Sequence, residues 1–213
     1  MRWCLVALGV FIVAATTNAQ PLPLDPLTPE EREVATSVAQ ADVKVRELLG
    51  GGRTRRIYTD FIAVKREGVR GDEPSGRYAD VLFYRYDRDI GVRALVNLIA
   101  RSVIDVVRVN GQSVPINNEE VEEAARIALA DPRVLRLFGG TIPPFRVATR
   151  PATREDAESA RIEGLRLLGS SADDPCFRHR CILLFFRVNN RYVNVNRVVV
   201  DMTSQSVQIR GGG

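Results

Sequence analysis

A single histidine, His179, stands in the whole chain of 213 residues, and that scarcity removes many common chemistries at once. One imidazole cannot build a multi-histidine metal centre, and every nucleophile–histidine pair would have to use this one residue. Its sequence neighbours, Arg178 and Arg180, would lower its basicity. No G-x-S-x-G, G-x-x-x-x-G-K-[ST] or H-E-x-x-H pattern occurs. Lysine is almost as scarce: of 30 basic side chains only Lys44 and Lys65 are lysines. The arginines alternate with 26 acidic residues and form no basic stripe, which argues against nucleic acid as a partner. Acidic pairs such as Asp173-Asp174 and Asp87/Asp89 fall in expected turns, where Asp caps local backbone.

Long apolar runs are also missing, with one exception at the start. Arg2 is followed by Cys4 to Ala15, CLVALGVFIVAA, and by the small-residue exit Thr17-Asn18-Ala19. Twelve apolar residues are too few to cross a bilayer core of roughly 30 Å, so residues 1–19 read as a cleaved signal peptide. The mature chain is therefore expected to be exported, secreted or periplasmic, with no insertion into the membrane. Cys4 lies in the leader, which leaves Cys176 and Cys181 in DDPCFRHRC. In an oxidising compartment this pair reads as a disulfide; the alternative joins Cys176, His179 and Cys181 in a metal site. Five residues apart on one flat strand, the two sulfurs would point to opposite faces. The bond therefore requires Cys176 to curl back through the turn at Pro175.

What is present in quantity is repetition. ADVKVRELLGG (41–51) recurs as ADPRVLRLFGG (130–140), each closing an amphipathic helix at a glycine pair. The first helix carries Val34, Val38, Val45, Leu48 and Leu49 on one face. The second carries Val121, Ala124, Ala125, Ala128 and Leu135, with Asn117 and Glu120 at capping-box spacing. After each helix come strand-like runs: RRIYTDFIAVKREG, YADVLFYRYD, IGVRALVNLIA and SVIDVVRVNG, then ARIEGLRLLG, CFRHRCILLFFRV, RYVNVNRVVVD and SQSVQIRG. Alternation over 192–198 suggests a strand with one wet face, and Asn189-Asn190 a hairpin turn. Each half is thus one helix followed by about four antiparallel strands. The fold class is α+β, a tandem duplication of a cystatin-like unit with one helix packed on a four-stranded antiparallel sheet. The expected units are 20–111, with an N-terminal arm, and 112–213. TIPPFRVATRPATREDAES (141–159) reads as an extra surface loop with one helical turn near Thr153.

The stretch PLDPLTPEE (23–31) launches the first helix. Its prolines keep residues 22–26 extended, Thr28 is placed as N-cap, Pro29 as first helical residue and Glu31 as capping-box partner. Followed by a helix, this opening resembles the small N-terminal domains of copper amine oxidases, which begin with a His-Pro-Leu-Asp-Pro-Leu type of sequence. ALVNLIARSVIDVVRVNG (94–111) looks like the last hairpin of such a domain, and ADPRVLRLFG like a helix end in one. The resemblance covers essentially the whole mature chain through short, degenerate motifs, and the leading His is replaced by Leu22. It implies a tandem pair of cystatin-like domains without the catalytic domain. That family's enzyme needs three His ligands for copper and a Tyr in an Asn-Tyr-Asp/Glu setting. Tyr58, Tyr78, Tyr84, Tyr86 and Tyr192 lack that setting.

The expected function is therefore an exported, non-catalytic accessory module with no cofactor and no catalytic or metal-ligating residues. Its expected partner is a protein, either a separately encoded amine-oxidase-like chain or a second copy. Two alternatives stand beside it. A helix-on-sheet fold can open a pocket for a small carried ligand. Cystatin-type protease inhibitors use a Gln-x-Val-x-Gly hairpin, which QSVPI (112–116) and QSVQI (205–209) match only at their start.

Overall fold

Thr28 starts the fold as its chemistry demands. The computed structural model describes residues 25–63, 76–140, 144–147, 160–189, 191–193 and 197–211. The Glu31 N–H donates to Thr28 Oγ1 at 3.2 Å, and the Thr28 N–H donates to Glu31 Oε2 at 2.9 Å. That capping box opens α1, Pro29–Ala41. The leading arm is pinned beside it: Leu27 is buried, and Arg77 donates to the Asp25 and Pro26 carbonyls and to both Glu31 oxygens.

The expected single helix is in fact two. Asp42 adopts an extended backbone and its carboxylate accepts from the Val45 N–H at 3.0 Å, so it ends α1 and caps α2, Val43–Leu49. An Asp at such a position offers the backbone a competing hydrogen bond, which is why it breaks rather than continues a helix. The same correction applies further on. α3, Asn118–Leu129, carries the expected Asn117–Glu120 capping box, and Asp131 then caps the separate α4, Pro132–Leu137, through the Arg133 N–H at 2.8 Å.

The first sheet is an antiparallel meander, β1 Thr54–Ile62, β2 Tyr78–Arg85, β3 Ile90–Asn97 and β4 Ser102–Asn110, in the order β1-β2-β3-β4. Its inner face, with Ala79, Val81, Phe83, Val92 and Val96, packs under α1 and α2 on Ala35, Ala39 and Val45. Fully burying a Val or Phe contributes roughly 1.5–3 kcal/mol, so this layer holds the first half together. Val34, Val38, Leu48 and Leu49 are half-buried, whereas Ala35 and Ala39 are fully buried.

The second sheet departs from the four antiparallel strands expected of it. It contains β5 Arg146–Val147, β6 Arg161–Leu167, β7 Cys181–Val188, β8 Arg191–Tyr192, β9 Arg197–Asp201 and β10 Ser206–Arg210. The order is β10-β9-β7-β6-β5, with β8 on the end of β7. β5, inside the stretch expected to be a surface loop, pairs parallel to β6, and the two are far enough apart in sequence for the crossover that a parallel pair requires. The helical turn expected near Thr153 lies outside the described residues. The expected alternation over 192–198 falls partly outside them too, and Val198, Val199 and Val200 are all buried, so β9 is covered on both faces.

α3 lies on the inner face, where Val121, Ala124, Ala125 and Ala128 meet Ile162, Ile182, Leu184 and Phe186. Gly164 lets the helix come close: a Cβ there would stand 2.8 Å from Val121 Cγ2. This core does not stop at the second half. Ile57, Leu82, Tyr84, Tyr86 and Val114 belong to the same buried cluster, so the second half seals part of the first sheet's outer face.

Candidate functional site

Cys176 and Cys181 form a disulfide, with their Cα atoms 5.4 Å apart. Cys176 reaches its partner through a single turn of 3-10 helix, Pro175–Phe177, whose cap is the Asp174 carboxylate accepting from the Cys176 N–H. This is the curl back through Pro175 that the spacing requires. Both sulfurs are consumed and buried, so the thiolate metal site of the alternative reading is closed. Among the described residues no group of three His, Cys, Asp or Glu side chains could hold a metal ion. A disulfide is consistent with an extracellular location, and no described helix is long and apolar enough to cross a membrane.

His179 and its two arginine neighbours are separated by the fold. His179 Nδ1 lies 2.6 Å from Asp201 Oδ2, a contact between residues 22 apart that no local signal announces. Burial works to raise the Asp201 carboxyl, but hydrogen bonds from His179, Ser204 Oγ and the Ser204 N–H outweigh it and hold the group below its ordinary value. With both its oxygens occupied, Asp201 ties the 176–180 loop to the β9–β10 turn. Gln112 and Ser113 sit in a short 3-10 turn, and Val114 is buried in the shared core, so QSVPI is not free to plug a protease cleft. QSVQI runs from the β9–β10 turn into β10.

Arg180 turns inward, to the feature that dominates the molecule. Its side chain and that of Glu120 are both fully buried at the seam between the halves. Arg180 Nε and Nη2 donate to the two Glu120 oxygens at 2.5 and 2.6 Å, and the remaining donors reach the Val114 and Pro115 carbonyls. Its guanidinium carbon lies 4.2 Å from the centre of the Tyr84 ring. Glu120 also accepts from Tyr86 Oη at 2.7 Å and from the Asn117 N–H. Every strong group in the pair is thus satisfied, the condition under which a buried ion pair is tolerated.

Further contacts extend the seam. Arg53 stacks 3.9 Å over Tyr86 and donates to the Met202 carbonyl, Arg55 pairs with Glu123, and Asn117 Nδ2 donates to the Arg56 and Ile57 carbonyls. Tyr84 Oη donates to Asp89, and burial pushes the Tyr84 and Tyr86 hydroxyls far up, with the Asp89 and Glu120 carboxylates adding to it. Sealed from solvent, both hydroxyls anchor the packing of the seam.

The rest of the first sheet's outer face stays open. Ile62, Asp80, Arg93, Leu95, Asp105 and Val107 line a hollow of about 200 Å³ there. Arg93 pairs with Asp80 at 2.7 Å, and Tyr58 Oη donates to Asp80 at 3.0 Å. Burial, then the Asp80 charge, pushes the Tyr58 hydroxyl up to about 12. No sequence signal beyond the two-residue alternation of the strands points to this face.

The fold is shared with a known enzyme. Over 88% of this chain it matches 29% of the length of a copper-containing benzylamine oxidase from Hansenula polymorpha, with a TM-score of 0.52 and 14% identity. At that identity the likeness is one of fold alone, and the chain spans less than a third of the oxidase. No protein-family model matches the sequence, and no curated protein does.

Proposed function

We propose that this chain is an exported, non-catalytic interaction module, a tandem of two cystatin-like units of the kind that precede the catalytic domain in copper amine oxidases. The observation that carries this reading is the fold match, which takes in nearly all of this chain and only a minor share of the oxidase. Two further features support it. The halves repeat a helix broken by a capping Asp, at Asp42 and at Asp131, followed by a sheet. The seam around Arg180 and Glu120 ties them into one body, as a module that presents a surface requires. The module's partner is a separately encoded amine-oxidase-like catalytic chain.

The chain's own residues do not supply amine oxidation in this reading. The one histidine is engaged with Asp201, and four of the five tyrosines, Tyr58, Tyr84, Tyr86 and Tyr192, donate to carboxylates within the fold. Purified mature protein should release no peroxide with benzylamine and keep no stoichiometric copper after dialysis. Mixed with an amine-oxidase-like chain from the same source, it should co-elute in gel filtration. Peroxide release, or one copper retained per chain, would overturn the proposal.

A further inference from the structure

We infer that the open half of the first sheet's outer face is a docking surface for a protein partner that sets an arginine or lysine side chain into it. The inference names the chemistry of the partner in the interaction-module reading and rests on that reading. The face is continuous with an interface the molecule already makes. Along β2, Leu82 and Tyr84 are sealed beneath the second half, while Asp80, two residues on, borders the open hollow. Across β3 and β4 the same face continues through Leu95 to Val107, which is 48% exposed.

The covered half shows what this face takes. Two guanidinium groups of the second half reach it beside Tyr84: Arg180 lies 4.2 Å from the ring centre, and Arg166 lies 6.0 Å from it and 3.5 Å from Asp89. The open half carries the same kinds of group, with a tyrosine hydroxyl on a carboxylate, Tyr58 on Asp80, above an apolar floor of Ile62 and Leu95.

The charge balance there is inverted relative to the chain. Among the described residues, Asp80 and Asp105 line the hollow with one cation, Arg93, whereas the chain as a whole is formally +4. Asp60 stands directly opposite Asp80 across β1 and β2, a like-charge arrangement that costs stability in an isolated sheet. Arg93 answers Asp80 within the fold, so a cationic side chain from a partner would meet Asp105, and its aliphatic stem would cover the floor. Docking is face-on. The register shift beside Leu95 places a bulge in the β3–β4 pair, and bulged edges are poor templates for adding a strand.

The test is a titration of the ¹⁵N-labelled protein with the peptide acetyl-Leu-Arg-Leu-amide, followed by NMR. Backbone signals of Asp80, Leu95 and Val107 should shift together and saturate. The isosteric citrulline peptide, which lacks the charge, should bind about tenfold more weakly. Asp105→Arg should abolish the response, and Val107→Ser should weaken it while leaving the charges in place. Absence of shifts on this face, equal binding of the citrulline peptide, or an unchanged response in Asp105→Arg would overturn the inference. Amine oxidation by the same sample would instead refute the module reading, so the two failures are distinguishable.

Discussion

Replacing Arg180 with methionine isolates the seam. The variant keeps an unbranched side chain of similar length, preserving much of the packing against Tyr84, but leaves the Glu120 carboxylate buried without its cation. Removing one partner of a fully buried ion pair costs about 3–5 kcal/mol, because the remaining charge is desolvated and uncompensated. Tyr86 Oη and the Asn117 N–H still reach Glu120, so the lower end of that range applies. Against a total stability of about 5–15 kcal/mol this is a large fraction. In a chain of this size it corresponds to a fall in Tm of roughly 6–12 °C. The double variant Arg180→Met/Glu120→Leu removes both charges and should recover most of the loss. It should stay short of wild type by about 1 kcal/mol, since Glu120 also completes the Asn117 capping box. Urea unfolding followed by circular dichroism, run as a double-mutant cycle, measures both quantities. A single-variant cost below about 1 kcal/mol, or additive losses in the double variant, would refute the seam as a coupled buried pair.

Two shorter predictions concern the ends of the fold. Hydrogen bonding from Arg77, with help from the Thr28 N–H and against the opposing effect of burial, holds the Glu31 carboxyl below its ordinary 4.5. A folded value lower than the unfolded one means that the stabilisation is complete above the unfolded value and is lost as pH falls through the folded one. The advantage of wild type over Glu31→Gln in urea should therefore shrink between about pH 6 and pH 3; a constant gap would contradict the pairing with Arg77. Unreduced protein in denaturant should react with no thiol reagent at positions 176 and 181. Reducing it should cost stability at the low end of about 0–5 kcal/mol, because the loop closed is so short. Two titratable thiols would show that the bond does not form.

Signals carried within a few residues are legible in the sequence alone. Thr28 with Glu31 and Asn117 with Glu120 announce both main helices, because a capping box is complete in four residues. The strand runs of the first half fall where the meander lies, and DDPC carries the turn that brings Cys176 to Cys181. Asp42 and Asp131 are as visible as those caps, yet the apolar periodicity runs through them, and only the adopted backbone shows that each ends one helix and caps the next. The seam is beyond reach for a different reason. Tyr86 and Glu120 are 34 residues apart, and Glu120 and Arg180 are 60 apart. Read locally, Arg180 is one more arginine beside a histidine and Glu120 is only a capping residue. Their meeting depends on the second half being laid across the outer face of the first sheet. Local pattern decides which residues form helix and strand; which charges are buried together is decided only when two sheets and a helix close over them and exclude water.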